Sequence, residues 1–577
     1  MLEKLEYDKY KNLRDEHEKK VSRLSNMRMI MFIVMIISFV LKYYYYEVLF
    51  SIVFTASLVS FFVLVLIHNK HFKVYNYYLK YVNVLDSYVA RGNDEWKNFS
   101  DKGLEFLGKK TFLNDLDILG DCSLFQYLSV CKTMGGREKL VNRLSNMKLN
   151  NEELKQSQNL IKELAGDIDF CIRFQVMMNY YEKKKIHLSK NLKNFIDRID
   201  CGFDKCIGSF AGIICILLLA LSSLEIVPIA CFYGIFFFNL GISFIYSYIY
   251  REDFIKLDKY ISYYSKLVPV LELVAEYKGT STKMKKYIKN FKSSLNNISK
   301  LKELEDLSSL KSNLLSNLLF NGIFCLNLFI RVRYANFMRK HSKGLEFVIE
   351  DVEELEAMIS LATIGIIRSD ICMPLIDSKV SLSFAEIKHP LISEEVCVSN
   401  SFVGKAGVNI ITGSNMGGKT TFLRTIGINL ILMQAGSYVC ANSFSASYFK
   451  LFTSMRIMDN IDKGISTFYG ELLRIKDMFE YNGNGNMLVL IDEIFKGTNY
   501  EDRLYGAHEV VKKLNNKSTI AFITTHDFEL CDSAGVKNFH VKEEYEGDKI
   551  VFDYKIRDGK CVSTNAKYLM KKLDIVN

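Results

Sequence analysis

Apolar residues fall along this chain in two regimes. Over the first 250 residues they gather in long runs: residues 29–46, interrupted only by Lys42, then 48–67, 206–224 and 226–250, the last three without a charge. Each run is about as long as the 17–25 residues a helix needs to cross a bilayer. Short connections at Glu47 and at 225–228 pair the runs into two hairpins, 29–67 and 206–250. Soluble cores rarely run so far without a charge, so four transmembrane helices are predicted. Beyond residue 400 the runs shorten. Residues 408–412 (VNIIT), 488–491 (LVLI) and 520–523 (IAFI) read as buried parallel strands, and 421–434 has the apolar spacing of a helix. That is the pattern of an α/β domain.

Lysines and arginines set the orientation. Lys19, Lys20, Arg23 and Arg28 precede the first run. Lys70, Lys73 and Lys80 follow the second, and a cluster from Lys183 to Lys205 precedes the third. Arg251 and Lys256 follow the fourth, whereas the outer connections hold only Lys42. The reading is a multi-pass protein of the cytoplasmic (inner) membrane, with the N-terminus, 68–205 and 251–577 in the cytoplasm. A fifth apolar stretch, 314–330, carries Asn317, Asn321 and Asn327. A fifth span would move the C-terminal region across the membrane, so this stretch is expected to be a buried helix.

The 577 residues contain only 4 prolines, which favours long unbroken helices over a loop-rich or disordered chain. The 13 cysteines form no CxxC pair and suit a reducing compartment better than a disulfide framework. A formal charge of +10 permits anionic partners without naming one.

The chemistry concentrates after residue 400. Gly413-Ser414-Asn415-Met416-Gly417-Gly418-Lys419-Thr420 fits G-x-x-x-x-G-K-[ST], between the predicted strand 408–412 and a helix. The glycines let backbone N–H groups turn inward around phosphates, and the helix N-terminus adds partial positive charge. Lys419 is then expected on the β- and γ-phosphates of ATP, with Thr420 and the adjoining Thr421 at the head of the helix, and Thr420 on Mg²⁺. Asp492 and Glu493 emerge where the strand 488–491 ends. Asp492 is expected to hold Mg²⁺ through water, and Glu493 to polarise the attacking water. His526 follows the strand at 520–525 and is read as a γ-phosphate sensor. In Lys463-Gly464-Ile465-Ser466-Thr467-Phe468, Ser466 or Thr467 also suits an ordinary helix cap.

Taken together, residues 380–570 resemble the MutS family of ATPases. ITGSNMGGKTTFLR (411–424) is similar to its phosphate loop and AGSYVCA (435–441) to the segment after it. FTSMRIMDNIDKGISTFYGE (452–471) is similar to its trans-acting signature, LIDEIFKGTN (490–499) to its magnesium motif and TTHDFEL (524–530) to its histidine motif. FDYKIRDG (552–559) fits its closing hairpin, and His389-Pro390 and Asn400 sit where the family surrounds the nucleotide base. The resemblance implies an ATP-binding-cassette-type fold acting as a homodimer. Each ATP would lie between one copy's phosphate loop and the other's signature, so Ser466 would act in trans. Catalysis would rest on Glu493, His526 and Ser466. Upstream, 112–144 is similar to the start of the family's helical core or lever, with Asp115-Leu116-Asp117 among the matching residues, and 353–361 to the helix leading into the ATPase.

The departures shape the functional expectation. Residues 1–111 hold a charged arm, two apolar runs and a linker where repair members carry a mismatch-reading domain. The 206–250 hairpin stands where they carry a DNA clamp, and no connector domain is recognised. The resemblance thus supports an ATP-driven dimer better than mismatch recognition. The expected organisation is α plus α/β: a charged arm (1–28), a first hairpin (29–67), a helical core (68–205), a second hairpin (206–250), a helical lever (251–375) and a C-terminal ABC-type P-loop ATPase domain (376–577). The arm alternates charges and is expected to be solvent-exposed or self-pairing. Residues 278–302 hold eight lysines and no acid. Lys283, Lys285, Lys286, Lys289 and Lys292, with Tyr287 and Phe291 interleaved, form a candidate patch for double-stranded DNA bound without sequence preference. An ordinary solvated face, or contact with anionic lipid of the bilayer, fits the same lysines. Two functions follow: a membrane-tethered DNA-binding ATPase, or a membrane scaffold, remodelling or signalling ATPase with no DNA ligand. A transporter is disfavoured, because GISTF (464–468) stands where an LSGGQ-type signature would be.

Overall fold

The computed structural model describes residues 4–45, 48–108, 110–145, 150–179, 201–311, 314–414, 416–456, 467–495, 498–546 and 549–561. The chain divides into two compact units, one of residues 1–129, 141–179 and 359–577, the other of 130–140 and 180–358. The mixed helical and α/β composition expected of the chain is present.

In the first unit, helices Lys4–Tyr45 and Val48–Gly92 form an antiparallel hairpin. Their apolar stretches face outward: Met29, Val59 and Leu66 are 60%, 62% and 71% exposed. The charged arm continues the first helix and packs back on the second through tyrosines. Tyr10 stacks on Tyr81 with ring centroids 4.0 Å apart, and the Tyr7 hydroxyl donates to Asp86 Oδ1 at 2.7 Å.

The same unit holds the α/β domain. Its six-stranded sheet has the order β10-β9-β4-β8-β7-β6. These are β4 (Gly407–Thr412), β6 (Lys450–Ser454), β7 (Met487–Asp492), β8 (Thr519–Thr524), β9 (Lys537–Glu546) and β10 (Lys549–Asp558). All neighbours run parallel except β9 and β10. β7 and β8 are buried along their whole length, which is why their sequences are continuous apolar runs rather than alternating ones. One face packs on helices Thr467–Tyr481 and Tyr500–Leu514 through Ile475, Met478, Val510 and Val511. Elsewhere Phe402 meets Phe522 edge-on at 4.9 Å, and Phe422 meets it at 6.3 Å. A second sheet, β1-β5-β2-β3, comprises β1 (Leu375–Asp377), β2 (Ser381–Ile387), β3 (Asn400–Lys405) and β5 (Ser443–Ser447).

The second unit contains helices Cys201–Ser223 and Ile229–Ile249, the latter capped by Pro228. Three helices among the described residues are long and apolar enough to cross a membrane: Tyr7–Tyr45, Val48–Gly92 and Ile229–Ile249. At the expected third span, the helix Cys201–Ser223 carries a described apolar stretch at Phe210–Ser223. The buried helix expected at 314–330 is corrected. Two helices, Leu314–Phe324 and Leu326–Ile367, meet at Cys325, whose φ is +47°, and their adjoining parts Ser316–Phe324 and Leu326–His341 are bent by 79°. Counted as one broken span, the pair is a fourth candidate. Leu314 and Leu319 are 72% and 55% exposed.

The asparagines that interrupted the apolar pattern serve this break. Asn321 Oδ1 accepts the Asn327 N–H at 2.9 Å and the Ser243 hydroxyl at 2.5 Å. Asn239 donates to the Gly322 carbonyl at 3.0 Å. A break in a helix frees backbone groups. In an apolar surrounding, side chains must satisfy them, because an unpaired buried polar group costs about 1–3 kcal/mol.

In this unit Glu356 is 2% exposed and accepts from the Lys132 N–H at 2.8 Å and from the Thr133 hydroxyl. Burial pushes its carboxyl up to about 7. The folded state therefore holds the proton where the unfolded chain has released it, so stability falls as pH rises from about 4.5 to about 7. Thermal melts in detergent across that window are expected to lose about 1–3 kcal/mol. Glu356→Gln should flatten the dependence, and an equally steep profile in the variant would assign it elsewhere.

Candidate functional site

The site is built at the C-terminal ends of β4, β7 and β8, where a parallel sheet leaves a crevice for ligands. After β4 the chain turns through Gly413 (φ +135°), Met416 (φ +72°) and Gly418 (φ +87°) into the helix Lys419–Ala435. The loop lies hard against β9. A Cβ at Gly413 would sit 2.8 Å from the Val541 carbonyl, and one at Gly417 would sit 2.6 Å from Val541 Cγ2. Lys419 is buried and its Nζ donates to the carbonyls of Gly413 (2.7 Å) and Ser414 (2.9 Å). The Ser414 hydroxyl is buried with no partner among the described residues.

Parallel register pairs Asp492 on β7 with Thr524 on β8. Asp492 accepts from the Thr524 hydroxyl at 2.7 Å and from the Thr420 hydroxyl at 2.8 Å. The Thr524 hydroxyl also accepts the Glu493 N–H at 2.9 Å. Glu493 has φ +57°, a left-handed conformation that side chains avoid unless their surroundings impose it. His526 Nε2 lies 3.2 Å from Glu493 Oε1. Thr420, Asp492, Glu493 and His526 are thus joined in one chain of contacts. Thr420 and Asp492 present hard oxygens side by side, a donor set that suits Mg²⁺.

A cavity of about 430 Å³ opens between this cluster and the second sheet. Gly417, Gly418, Thr421 and Glu493 line one end, and His389, Ile392, Val396 and Tyr554 the other. Its size falls in the usual range for small-molecule sites. His389 is 8% exposed, and its Nδ1 accepts the Leu391 N–H at 3.2 Å. Burial, with Arg424 and Arg368 nearby, pushes it down to about 4, so it is a neutral imidazole near pH 7. Tyr554 (φ +55°) is held over Gly418 by Asn400, which donates to the Tyr554 carbonyl at 3.1 Å and accepts the Ile556 N–H at 2.8 Å.

Residues 409–570 match the model of MutS domain V. Over this region the chain is similar to the MutS family. Curated relatives of the chain include the DNA mismatch repair protein MutS of Methanococcoides burtonii, 29% identical over 282 residues, covering 45% of this chain and 30% of that protein. Those of Lactobacillus johnsonii (28% over 246 residues, 40% of this chain and 28% of that protein) and Cytophaga hutchinsonii (30% over 224 residues, 36% and 26%) are similar. The matched part of the chain spans less than a third of each of these relatives.

The sequence-predicted residues Ser414, Met416, Gly417, Gly418, Lys419, Thr420, Thr421, His389 and Glu493 line one cavity, and Gly413, Asp492 and His526 bond to members of this lining. Asn415 and Ser466 lie outside the described residues. Motif reading placed Thr524 and Tyr554 in matched segments but gave neither a role in the site. Thr524 is a polar residue following the apolar run 520–523, a weak signal. Tyr554 reaches the site only through the β9–β10 hairpin. Glu471, 2% exposed, accepts the Phe495 N–H at 2.7 Å and ties the helix after the signature to the loop after β7.

The lysine patch lies in the other unit, on the helix Thr282–Ser309. Lys285, Lys286, Lys289 and Lys292 are exposed and Lys283 half-buried. Tyr287 and Phe291 are 4% and 0% exposed and face the core. The expected interleaving of aromatics with lysines is therefore corrected: helical periodicity sends the two kinds of residue to opposite faces.

Asn400→Ala removes both bonds that pin Tyr554 over the cavity. It is expected to lower stability by about 1–3 kcal/mol and to weaken nucleotide binding, read by thermal melting and by titration with a fluorescent ATP analogue. Unchanged nucleotide affinity would show that the hairpin does not border the nucleotide.

Proposed function

We propose that this protein is a membrane-anchored MutS-type ATPase that binds and hydrolyses ATP at sites shared between two copies of the chain. The observation that carries the reading is the contact chain Thr420–Asp492–Thr524–Glu493–His526 beside a glycine loop and a neutral-histidine cavity. In this proposal ATP lies with its base toward His389 and Tyr554 and its phosphates in the loop 413–420. Lys419 turns from the loop carbonyls to the β- and γ-phosphates. Glu493 takes the proton of the attacking water, and His526 orients the γ-phosphate. Thr420 and Asp492 would hold Mg²⁺, which supplies neutralisation of phosphate charge when bound. Ser466 would complete the partner copy's site.

The outward apolar faces of the long helices support anchoring in the bilayer of the inner membrane. The lysine-rich helix supports coupling to duplex DNA through phosphates, without sequence preference. A second reading, a scaffold, remodelling or signalling ATPase with no DNA ligand, is favoured by the burial of Tyr287 and Phe291. Lysines without accessible aromatics suit anionic lipid headgroups.

Glu493→Gln in the full-length, detergent-solubilised protein should leave ATP binding intact and lower kcat by about 10²-fold or more. Normal turnover would show that the base is misassigned. Reversing Lys285, Lys286 and Lys289 to Glu should weaken salt-sensitive duplex binding while ATPase activity persists. If duplex binding survives and only adhesion to phosphatidylserine vesicles is lost, the second reading replaces the first.

A further inference from the structure

The segment Asp115-Leu116-Asp117 lies 307 to 359 residues before the ATPase residues it bonds, yet it is wedged among them. Asp115 is fully buried. Its carboxylate accepts from the Thr453 hydroxyl (2.7 Å), the Met455 N–H (3.2 Å), the Arg456 N–H (3.3 Å) and Arg474 Nη1 (3.0 Å). Asp117, in a left-handed turn with φ +51°, accepts from Arg456 Nη1 (2.5 Å) and Nη2 (3.3 Å) and from Arg424 Nη1 (3.0 Å). Between them Leu116 presses on the phosphate-loop helix: a Cβ at Gly427 would lie 2.7 Å from its Cδ1.

These contacts have a pattern. Arg456 is the last described residue before 457–466, the segment that carries Ser466. Arg474 lies on the helix Thr467–Tyr481 that follows the segment, and its Nη2 donates back to the Arg456 carbonyl at 2.9 Å. Both flanks of the signature segment are therefore tied to Asp115, and the Arg456 flank also to Asp117. The third arginine, Arg424, stands four residues after Thr420 on one helix, hence on the same face one turn below it. Thr420 in turn bonds Asp492. A helix and a bidentate guanidinium–carboxylate pair are both stiff, so a shift at Thr420 is delivered to Arg456 with little loss.

We infer that Asp115 and Asp117 are positioning residues that set the root of the signature segment according to the state of the phosphate loop, coupling nucleotide loading in one copy to what that copy presents to its partner. This rests on the ATPase reading above. It differs from simple packing because the acids bridge two functional segments through charged hydrogen bonds, Arg424 on one side and Arg456 and Arg474 on the other.

The test uses Asp117→Asn, Arg456→Gln and the double variant in the full-length protein. Asp117 and Arg456 are both partly exposed, so the fold tolerates their replacement. Expected are a fall in kcat of about tenfold or more, ATP affinity within about twofold of wild type, and a double variant no worse than either single one. In a Glu493→Gln background, Mg-ATP-dependent self-association should weaken in step. Unchanged kcat, additive losses, or a loss confined to ATP affinity or to melting temperature would overturn the inference and leave the ATPase reading standing. Absence of ATP turnover in the wild-type protein overturns both.

Discussion

The site depends on one constraint, the parallel register of β7 on β8 that sets Asp492 beside Thr524. Once that register is set, the Asp492 carboxylate holds Thr420 from the phosphate-loop helix on one oxygen and Thr524 on the other. The Thr524 hydroxyl then fixes the backbone of Glu493 in its left-handed turn. A slip of one residue would turn every side chain to the opposite face and dissolve the arrangement. Burial of both strands along their full length is what makes such a slip prohibitive.

The same rule, that buried polar groups must be paired, organises other parts of the protein. It explains the asparagines at the Cys325 bend, where Asn321 and Asn239 take up the groups that the broken helix releases. It explains the buried Asp115, whose charge is offset by four donors. In each case a polar residue that looks out of place in an apolar stretch is the partner of a backbone group or an arginine that would otherwise be stranded.

Much of the candidate site was legible because its residues act through short, local geometry. A glycine loop ending in Lys419-Thr420 must turn where it does, and two carboxylates after four apolar residues must emerge at a strand end. His389 was legible only by resemblance, since a histidine before a proline carries no phosphate or base signal of its own. Thr524 and Tyr554 were not legible, because each acquires its place from a strand pairing. The lysine helix misled in a simpler way. Composition counted Tyr287 and Phe291 with the lysines, whereas helical geometry buries them on the opposite face. The stretch 314–330 misled by averaging: as one segment it is too polar to span and too apolar to expose, and only the bend at Cys325 separates its two halves.

Sequence by itself determined the element types and the local chemistry: long apolar helices, buried strands, the glycine loop and the paired carboxylates. These follow from periodicity and from backbone preferences of a few adjacent residues. Tertiary structure alone decided which distant residues meet. It joined Asp492 to Thr524, Asn400 to Tyr554, and Asp117 to Arg424 and Arg456, across separations that no local pattern encodes. The physical reason is that a hydrogen bond or ion pair is specified by two positions in space, and only the packing of the whole core sets the second.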